Sequence, residues 1–440
     1  MEGVIILSND LMKKINDKNA IIAVVGLGYV GLPLAVEKAK AGYKVIGFDI
    51  QQSRVDMVNN GENYIGDVVD ADLENMVEDG MITATTDYQK IEEVDAVAIC
   101  VPTPLDQYHQ PNTKYVESST KDIAKYLHKG MLIVLESTTY PGTTEEIVKP
   151  ILEETGMKCG EDFFLAFSPE RVDPGNKVYN TKNTPKVVGG VTPQCTKVAA
   201  ALYNNVLDNE VHTVSSPAIA EMEKILENTF RNINIALVNE MAILAEKMEI
   251  DIWEVIDAAK TKPYGFMAFY PGPGLGGHCI PIDPFYLTWK AREHDYHTRL
   301  IELAGEINNS MPDFVIDRLM KVLNRYKKPL NGSKILLLGV AYKKDIDDLR
   351  ESPSLKLIEL LEQENADLIY NDPYIPQFKH KGKEYESKEL TDELLEEVDA
   401  VLVATDHSEY NAENIVEKSE IVFDTRNLTK GIDSDKVYKL

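Results

Sequence analysis

Residues 20–50 read AIIAVVGLGYVGLPLAVEKAKAGYKVIGFDI. An apolar run ends at Gly26, an amphipathic stretch follows, and a second apolar run closes at Asp49. This order predicts a strand, a glycine-rich turn, a helix and a second strand. Gly26, Gly28 and Gly31 match the GxGxxG pattern. The sextet alone is a weak signal, but between a strand and a helix, with an acidic residue ending the next strand, it predicts a dinucleotide site.

The acidic residue also indicates which dinucleotide binds. The glycines let a pyrophosphate approach the backbone, and the N-terminus of the helix supplies amide donors. Asp49 would accept hydrogen bonds from the adenine ribose and repel a 2′-phosphate, which favours NAD over NADP. A tight strand-to-helix turn that binds no ligand is the alternative.

Composition limits the classes of protein and partner. A chain of 440 residues is expected to form two or three domains, and its net charge of −26 argues against nucleic acid or an anionic membrane as a partner. No apolar run reaches the ~18 residues of a membrane span, and the N-terminus does not read as a signal peptide. The cysteines are scattered without a CxxC pair, so we expect a cytoplasmic, reduced protein without a metal site.

Alternating strand and helix patterns predict an α/β fold with mostly parallel sheets. From Pro217 onward, more than 30 residues pass without a helix breaker, which predicts one long helix. A second strand–helix alternation follows Met311-Pro312. We therefore predict two Rossmann-like parallel-sheet domains joined by a helical core with one long central helix. The expected domains are an NAD-binding domain at 1–214, a helical central domain at 215–311, whose long helix suits a dimer interface, and a second Rossmann-like domain at 312–440.

Three predicted strands end in polar residues. One runs into Thr103, the next into Thr138, and the third into Glu170 and Arg171. Ligands of open parallel sheets bind beyond the carboxyl ends of the strands, so these residues are expected to reach one crevice. Taken singly, the Thr residues are better explained as ordinary helix caps, whereas Glu170 is harder to explain in that way.

The long predicted helix carries Lys224, Asn228 and Arg231 at i, i+4 and i+7, on one face. A solvated polar stripe explains this spacing as well as a catalytic role does. If the stripe faces a substrate, Lys224 and Asn228 could donate to a developing oxyanion.

Residues 271–284 read PGPGLGGHCIPIDP, which is too rich in Pro and Gly for a helix or a central strand. The glycines before Cys279 are expected to leave space for a substrate. A thiol activated by its surroundings attacks carbonyl carbon, and Asp283 could handle protons. With NAD, this combination suggests oxidation of an alcohol to an aldehyde, then to a cysteine thioester, and finally to an acid. The other cysteines are expected to be small core residues.

The pattern Tyr286-x-x-x-Lys290 also matches the YxxxK pair of short-chain dehydrogenases. It lies too far beyond the glycine turn for that fold. We therefore expect Tyr286 to be a core residue and Lys290 a surface residue.

From about residue 20 to 430 the chain resembles the UDP-glucose/GDP-mannose dehydrogenases, which oxidise C6 of a nucleotide sugar to the carboxylate. The resemblance rests on GLGYVG, CVPTPL, ESTTYPGTTEE, SPERVDPGN, KILENTFRNINIALVNE, YPGPGLGGHCIPIDPFYL and GVAYKKDIDDLRESPS. It implies the same order of domains, with NAD as the cofactor in the first, a helical dimerisation domain that carries the cysteine loop at 215–311, and a UDP-sugar as the substrate bound by the domain at 312–440.

The resemblance also implies roles for individual residues. Cys279 would be the nucleophile, Lys224 with Asn228 the proton carrier and oxyanion partner, and Glu170 the base for thioester hydrolysis, supported by Asp283 and Thr138. The residues expected around NAD are Gly26, Gly28, Tyr29, Val30, Gly31, Asp49, Arg54, Thr103, Thr138 and Arg350. Those expected around the UDP-sugar, besides Lys224 and Asn228, are Arg171, Val172, Arg231, Gly276, Tyr342, Lys343 and Arg426.

Three departures argue against UDP-glucose as the substrate. The loop reads GGHC where UDP-glucose enzymes have GGSC, the preceding segment KPYGFMAF lacks their sugar-gripping arginine, and Pro174 stands where they have a second glutamate. The long motifs most resemble the UDP-N-acetylglucosamine 6-dehydrogenases, with the UDP-N-acetylmannosamine enzymes as the first alternative. A catalytically silent NAD or nucleotide-sugar sensor remains a further alternative. The long helix suggests a homodimer or a higher homo-oligomer.

Overall fold

The computed structural model describes residues 2–106, 110–173, 175–176 and 178–440. The chain divides into two compact units. The first comprises Met1–Glu227 and Phe285–Tyr296, and the second comprises Asn228–Pro284 and His297–Leu440.

The first unit contains an eight-stranded sheet in the order β3-β2-β1-β4-β5-β6-β7-β8. Its pairs are parallel except β6–β7, which is antiparallel. The strand order reverses between β1 and β4, which creates the crevice at which doubly wound sheets bind ligands. The strands are β1 Ile21–Val25, β2 Lys44–Phe48, β3 Ile82–Thr85, β4 Ala96–Ile99, β5 Leu132–Leu135, β6 Phe164–Phe167, β7 Val187–Gly190 and β8 His212–Val214.

The second unit contains a smaller sheet, in the order β10-β9-β13-β14-β15, whose pairs are all parallel. An antiparallel hairpin, β11–β12, stands apart from it. The strands are β9 Lys334–Leu338, β10 Asp367–Asn371, β11 Gln377–His380, β12 Lys383–Glu386, β13 Ala400–Val403, β14 Val422–Asp424 and β15 Val437–Lys439.

Helices cover both faces of each main sheet, as their continuously apolar strands require. They are α1 Glu2–Asn16, α2 Gly31–Lys40, α3 Gln52–Asn59, α4 Asp70–Glu78, α5 Lys114–Ala124, α6 Lys149–Glu153, α7 Pro193–Asn204, α8 Pro217–Lys247, α9 Ile252–Ala259, α10 Asp283–Ala291, α11 Arg299–Arg325, α12 Pro353–Gln363, α13 Asp392–Glu397 and α14 Ala412–Lys418. No helix in the described part of the chain is long and apolar enough to cross a membrane.

The predicted fold class is confirmed. One sheet precedes a helical segment in the sequence and the other follows it, and both contain the expected strands. The long helix that was predicted to start at Pro217 is α8. Its 31 residues give a length of about 46 Å. Pro312, however, lies inside α11 rather than at its end, so the predicted boundary at 311/312 falls within a helix. Helix α1 and the short strands β3, β7, β8, β11, β12 and β15 were not predicted from the sequence.

Candidate active site

The glycine turn after β1 has the geometry that a dinucleotide requires. Gly26 adopts φ +92°, and a Cβ there would lie 2.5 Å from the carbonyl oxygen of Cys100. A Cβ on Gly31 would overlap the carbonyl oxygen of Gly26, so α2 can start this close to the strand only with glycine. A Cβ on Gly28 would meet nothing within 4 Å. The first and third glycines therefore serve the fold, and the second leaves open the space that a pyrophosphate needs.

Asp49, directly after β2, is buried and held in one orientation. It accepts hydrogen bonds from Gln51 N at 2.9 Å and Leu27 N at 3.1 Å, and Arg54 lies 3.4 Å from its Oδ2. A carboxylate has about four acceptor sites, so Asp49 retains capacity for a ribose hydroxyl. The turn and the carboxylate thus fit the pyrophosphate and the adenine ribose of NAD.

The other predicted cofactor residues of the first unit lie near the ends of the central strands. Thr103 is buried and donates a hydrogen bond to the carbonyl oxygen of Thr138 at 2.7 Å. The hydroxyl of Tyr286 donates a short hydrogen bond to the carbonyl of Thr103. Tyr29 in the glycine turn is exposed, and Val30 next to it is half-buried.

Of the YxxxK pair, Tyr286 lies where it was expected and Lys290 does not. Tyr286 is a core residue, as predicted, with 1% of its surface exposed. Lys290 is not a surface residue: it is buried and forms ion pairs with Glu146 and Glu293.

Glu170 follows β6 and is held by three groups. Its Oε1 accepts hydrogen bonds from the backbone N–H groups of Arg171 and Val172, both at 2.9 Å, and its Oε2 lies 3.4 Å from Lys186 Nζ. Burial opposes ionisation, but Lys186, the two N–H groups and the nearby Lys224 outweigh it and lower the pKa of this carboxyl. Glu170 is therefore an ionised, oriented carboxylate, as a general base must be.

Arg171 is engaged by acidic residues of α8. Its guanidinium donates two hydrogen bonds to Glu227, contacts Glu223 at 3.4 Å and donates to the carbonyl of Pro185 at 2.8 Å. These bonds tie the segment after β6 to α8. The expected contact of Arg171 with the substrate stays a prediction, and Pro174 lies outside the described residues.

The polar row on α8 is buried over only part of its length. Lys224 and Asn228 are 7% and 4% exposed, so they are not a solvated stripe. Arg231 is exposed. The buried row continues instead to Asn232, which the sequence analysis missed.

Cys279 is exposed at a tight turn that α8 supports. Its carbonyl accepts the N–H of Asp283 at 2.8 Å. Asn228 Nδ2 donates to Asp283 Oδ2 at 2.5 Å, and Asn232 Nδ2 donates to the carbonyl of Ile280 at 3.1 Å. The second unit thus brings together three predicted catalytic residues, Cys279, Asp283 and Asn228. The other three, Glu170, Lys224 and Thr138, belong to the first unit.

The glycines before Cys279 are required by packing within the second unit. A Cβ on Gly276 would overlap Cβ of Tyr342, and one on Gly277 would lie 2.9 Å from the Tyr342 ring. A Cβ on Gly272 would lie 2.5 Å from a guanidinium nitrogen of Arg426. The expectation that these glycines chiefly leave space for a substrate is therefore incomplete, because they seat the loop against protein groups.

Buried amides also hold this loop, and no sequence pattern had indicated them. Asn239 on α8 accepts the N–H of Gly272 at 3.0 Å and donates to Asn308 Oδ1 at 2.9 Å. Asn308 on α11 donates in turn to the carbonyl of Asn232 at 3.1 Å. Two helices and the loop therefore share one hydrogen-bonded network.

The predicted substrate residues of the second unit follow the carboxyl ends of its strands. Tyr342 and Lys343 come after β9, and Arg426 comes after β14, where its Nε donates to the carbonyl of Ala404 at 2.8 Å. This edge is where open parallel sheets bind ligands.

Arg350, which was predicted to contact the cofactor, also lies in the second unit. It forms a bidentate pair with Asp348, and its carbonyl accepts the N–H of Gly277. Burial and the Arg350 guanidinium hold the pKa of His278 below its ordinary value, which favours a neutral imidazole beside Cys279.

Family comparisons identify three domains in the chain. Three models of the UDP-glucose/GDP-mannose dehydrogenase family match the chain: the NAD-binding domain at residues 20–207, the central domain at 218–310 and the UDP-binding domain at 336–431.

Similar proteins carry two substrate names. A UDP-N-acetyl-D-glucosamine 6-dehydrogenase of Pseudomonas aeruginosa is 36% identical, with 95% of this chain and 99% of the relative covered. A UDP-N-acetyl-D-mannosamine dehydrogenase of Campylobacter jejuni is 39% identical, with 88% and 96% covered. A solved UDP-D-ManNAc dehydrogenase from Pyrococcus horikoshii superimposes with a TM-score of 0.87 at 33% identity, with 95% and 98% covered. The chain belongs to the UDP-glucose/GDP-mannose dehydrogenase family and is a nucleotide-sugar 6-dehydrogenase that uses NAD.

Proposed function

We propose that this enzyme oxidises the C6 hydroxyl of UDP-N-acetyl-D-glucosamine to the carboxylate, with Cys279 as the nucleophile. The uronic acid produced would serve the synthesis of surface polysaccharide. The observation that carries the proposal is the exposed Cys279 in a turn fixed by Asp283 and Asn228. A purely structural cysteine would be expected in the core, where Cys100 and Cys195 lie.

The residues that would hold NAD are those of the glycine turn, with Asp49 on the adenine ribose and Thr103 and Thr138 near the strand ends. Arg54, Tyr29 and Val30 would complete this site. Bound NAD⁺ supplies the hydride acceptor for both oxidations.

The first oxidation turns the C6 alcohol into an aldehyde, and Lys224 takes the hydroxyl proton. The thiolate of Cys279 then forms a bond to the aldehyde carbon, and Lys224 returns its proton to the resulting oxyanion, which gives a hemithioacetal. The second oxidation removes this hydroxyl proton, again to Lys224, and leaves a thioester on Cys279. Glu170 removes a proton from water as the water attacks this thioester, and the thiolate leaves. The sum is one alcohol, one water and two NAD⁺ converted to one carboxylate, two NADH and three protons.

Asn228 and Lys224 are suited to stabilise the oxyanions of this sequence. They lie one turn apart on the continuous helix α8, and both are buried. Asn228 uses one N–H on Asp283, and its amide has a second N–H that could bind an oxyanion. Donors fixed in this way before the reaction are effective because they need no reorganisation.

The proposal is tested with a panel of UDP-sugars and NAD⁺, counting NADH per sugar. We expect two NADH per sugar, with UDP-N-acetylglucosamine giving the highest kcat/KM. UDP-N-acetylmannosamine is the second candidate, because relatives of that name match the chain equally well. A higher kcat/KM for it would change the substrate and leave the mechanism intact. A preference for UDP-glucose would contradict the assignment, and one NADH per sugar would exclude the thioester.

Cys279→Ser separates the enzyme from a silent sensor. We expect the variant to bind UDP-sugar with unchanged Kd in calorimetry and to form no acid. Cys100→Ser is the matched control, because this thiol is buried and is expected to have no catalytic role. Normal turnover by Cys279→Ser would remove the cysteine from the mechanism.

We also propose that the functional domains are 1–214 for NAD, 215–311 for dimerisation and the cysteine loop, and 312–440 for the UDP-sugar. The family matches at 20–207, 218–310 and 336–431 support this division. On α8, Leu237, Met241 and Leu244 form an exposed apolar row at helical spacing, which Met248 extends just beyond the end of the helix; this row supports a homodimer. Light scattering of Leu237→Asp should then show a loss of the oligomer.

A further inference from the structure

The first unit buries a charged cluster that the steps above do not use. Lys186, just before β7, and Glu136, just after β5, have side chains that are 7% and 0% exposed, and they pair at 2.7 Å. Tyr203 of α7 donates a short hydrogen bond to the other oxygen of Glu136. Lys38 of α2 is fully buried 5.1 Å from the Tyr203 ring centroid. Burying ionised groups costs free energy, so the presence of buried lysines and a buried glutamate at this place suggests that they have a function.

The cluster ends at Glu170. Lys186 Nζ has three oxygen neighbours: Glu136 at 2.7 Å, Glu170 at 3.4 Å and the carbonyl of Pro169 at 3.1 Å. Two of these contacts, to Glu170 and to the carbonyl of Pro169, are hydrogen bonds, and the contact with Glu136 is a close ion pair, so the ammonium is held from three sides. Glu136 keeps Lys186 charged, and Lys186 in turn presents that charge to Glu170.

The contacts of Glu170 leave one acceptor site on its carboxylate for a water molecule. Two backbone N–H groups occupy Oε1, and Lys186 occupies one side of Oε2. Of about four acceptor sites, one on Oε2 remains among the described contacts. The side chain is 16% exposed, so that site can receive a water proton.

We propose that Lys186, supported by Glu136 and Tyr203, is the positioning residue that orients Glu170 as the base for hydrolysis of the Cys279 thioester. This inference rests on the proposed function. Lys186 acts through Glu170 and touches neither the substrate nor the cofactor in this account.

The test compares Lys186→Met with Lys186→Arg, which retains the charge. Both oxidations precede hydrolysis, so rapid mixing of Lys186→Met with UDP-N-acetylglucosamine and NAD⁺ should give a burst of two NADH per site, followed by turnover at least about tenfold slower than wild type. Intact-protein mass spectrometry should find the sugar acyl adduct on Cys279. Lys186→Arg should show neither effect.

The pH profile separates positioning from a loss of stability. Glu170 also faces Lys224, and Lys38 and Cys100 lie in the same cluster. Removing Lys186 should move the acid limb of kcat upward by about one to three pH units, since an opposite charge at this distance favours the carboxylate by that amount. In a Glu170→Gln background, Lys186→Met should slow hydrolysis no further.

Lys186→Met leaves Glu136 buried beside Tyr203 without its cation, and the variant could fail to fold. Glu136→Gln/Lys186→Met removes both charges and keeps a neutral pair, so it serves as the second variant. We expect it to show the same burst, adduct and acid-limb shift.

Wild-type hydrolysis and an unshifted acid limb in a folded Glu136→Gln/Lys186→Met protein would overturn the role of Lys186. Slow turnover without an adduct would also overturn it, because the block would then precede the thioester. These results differ from a failure of the proposed function, in which wild-type enzyme would yield no NADH, or only one per sugar.

Discussion

Replacing Asn239 by alanine is expected to loosen the cysteine loop. The substitution leaves the N–H of Gly272 and Oδ1 of Asn308 buried without their partner, and both residues are buried in the second unit. Each unsatisfied buried group costs about 1–3 kcal/mol, so the total is about 2–6 kcal/mol. If the loss is expressed as local opening, the lower figure alone raises the open population about 30-fold.

Hydrogen–deuterium exchange measures this opening. Amides in the segment 271–284 should exchange about 30-fold faster in Asn239→Ala than in wild type, and kcat should fall because Cys279 is carried by the same segment. Asn234→Ala is the matched control. Asn234 lies on the same helix, is only half-buried, and donates to the carbonyl of Phe230 at 2.7 Å. Its removal should change stability by about 0.5 kcal/mol or less. Equal exchange of 271–284 in the two folded variants would refute the role of the amide network.

Three further predictions concern the first unit. Gly28→Ala should keep wild-type thermal stability but raise the Kd for NAD about tenfold, whereas Gly31→Ala should destabilise the fold by about 3 kcal/mol or more, because its Cβ would overlap the Gly26 carbonyl. Equal losses of stability in the two variants would contradict the separate roles of the glycines. Asp49→Ser should lower the ratio of kcat/KM for NAD over NADP about tenfold or more, since it removes both the ribose acceptor and the charge that repels a 2′-phosphate; an unchanged ratio would argue against contact with the ribose. Burial and the neighbouring Glu227 on α8 raise the pKa of Glu223 from 4.5 to about 7. Between these two pH values the folded state binds more protons than the unfolded state, so the protein loses stability as the pH rises from 4.5 to 7. The Tm of Glu223→Gln relative to wild type should therefore increase from pH 4.5 to 7, and a constant difference would exclude this titration.

The sequence predicted most of the fold because its signals are local. The glycine turn, the apolar strands and the unbroken stretch after Pro217 each specify their structure within a few residues. The short strands β3 and β8 carry too few apolar residues to be distinguished from loops. Pro312 shows that a local helix-breaker signal can be misleading, because this residue lies inside the helix α11.

The parts of the site that the sequence did not predict depend on distant residues. In the sequence, Asn239 looks like a solvent-exposed polar residue of a helix, and its hydrogen-bond partner Asn308 is far along the chain. Lys186 before a strand likewise reads as a surface residue, although it is the centre of a buried cluster. The Gly276–Tyr342 contact joins positions that no periodicity relates. By contrast, Cys279 could be singled out as a candidate nucleophile because its chemistry and the glycines around it occupy one short stretch.

The seating of Gly276 and Gly277 on Tyr342 has a consequence for chimaeric enzymes built from relatives. The cysteine segment and the surface that receives it are encoded far apart, yet they must be inherited together. A crossover placed between residues 284 and 339 would combine a loop with a foreign receiving surface. Exchanging 271–284 together with everything from residue 339 onward would preserve their match.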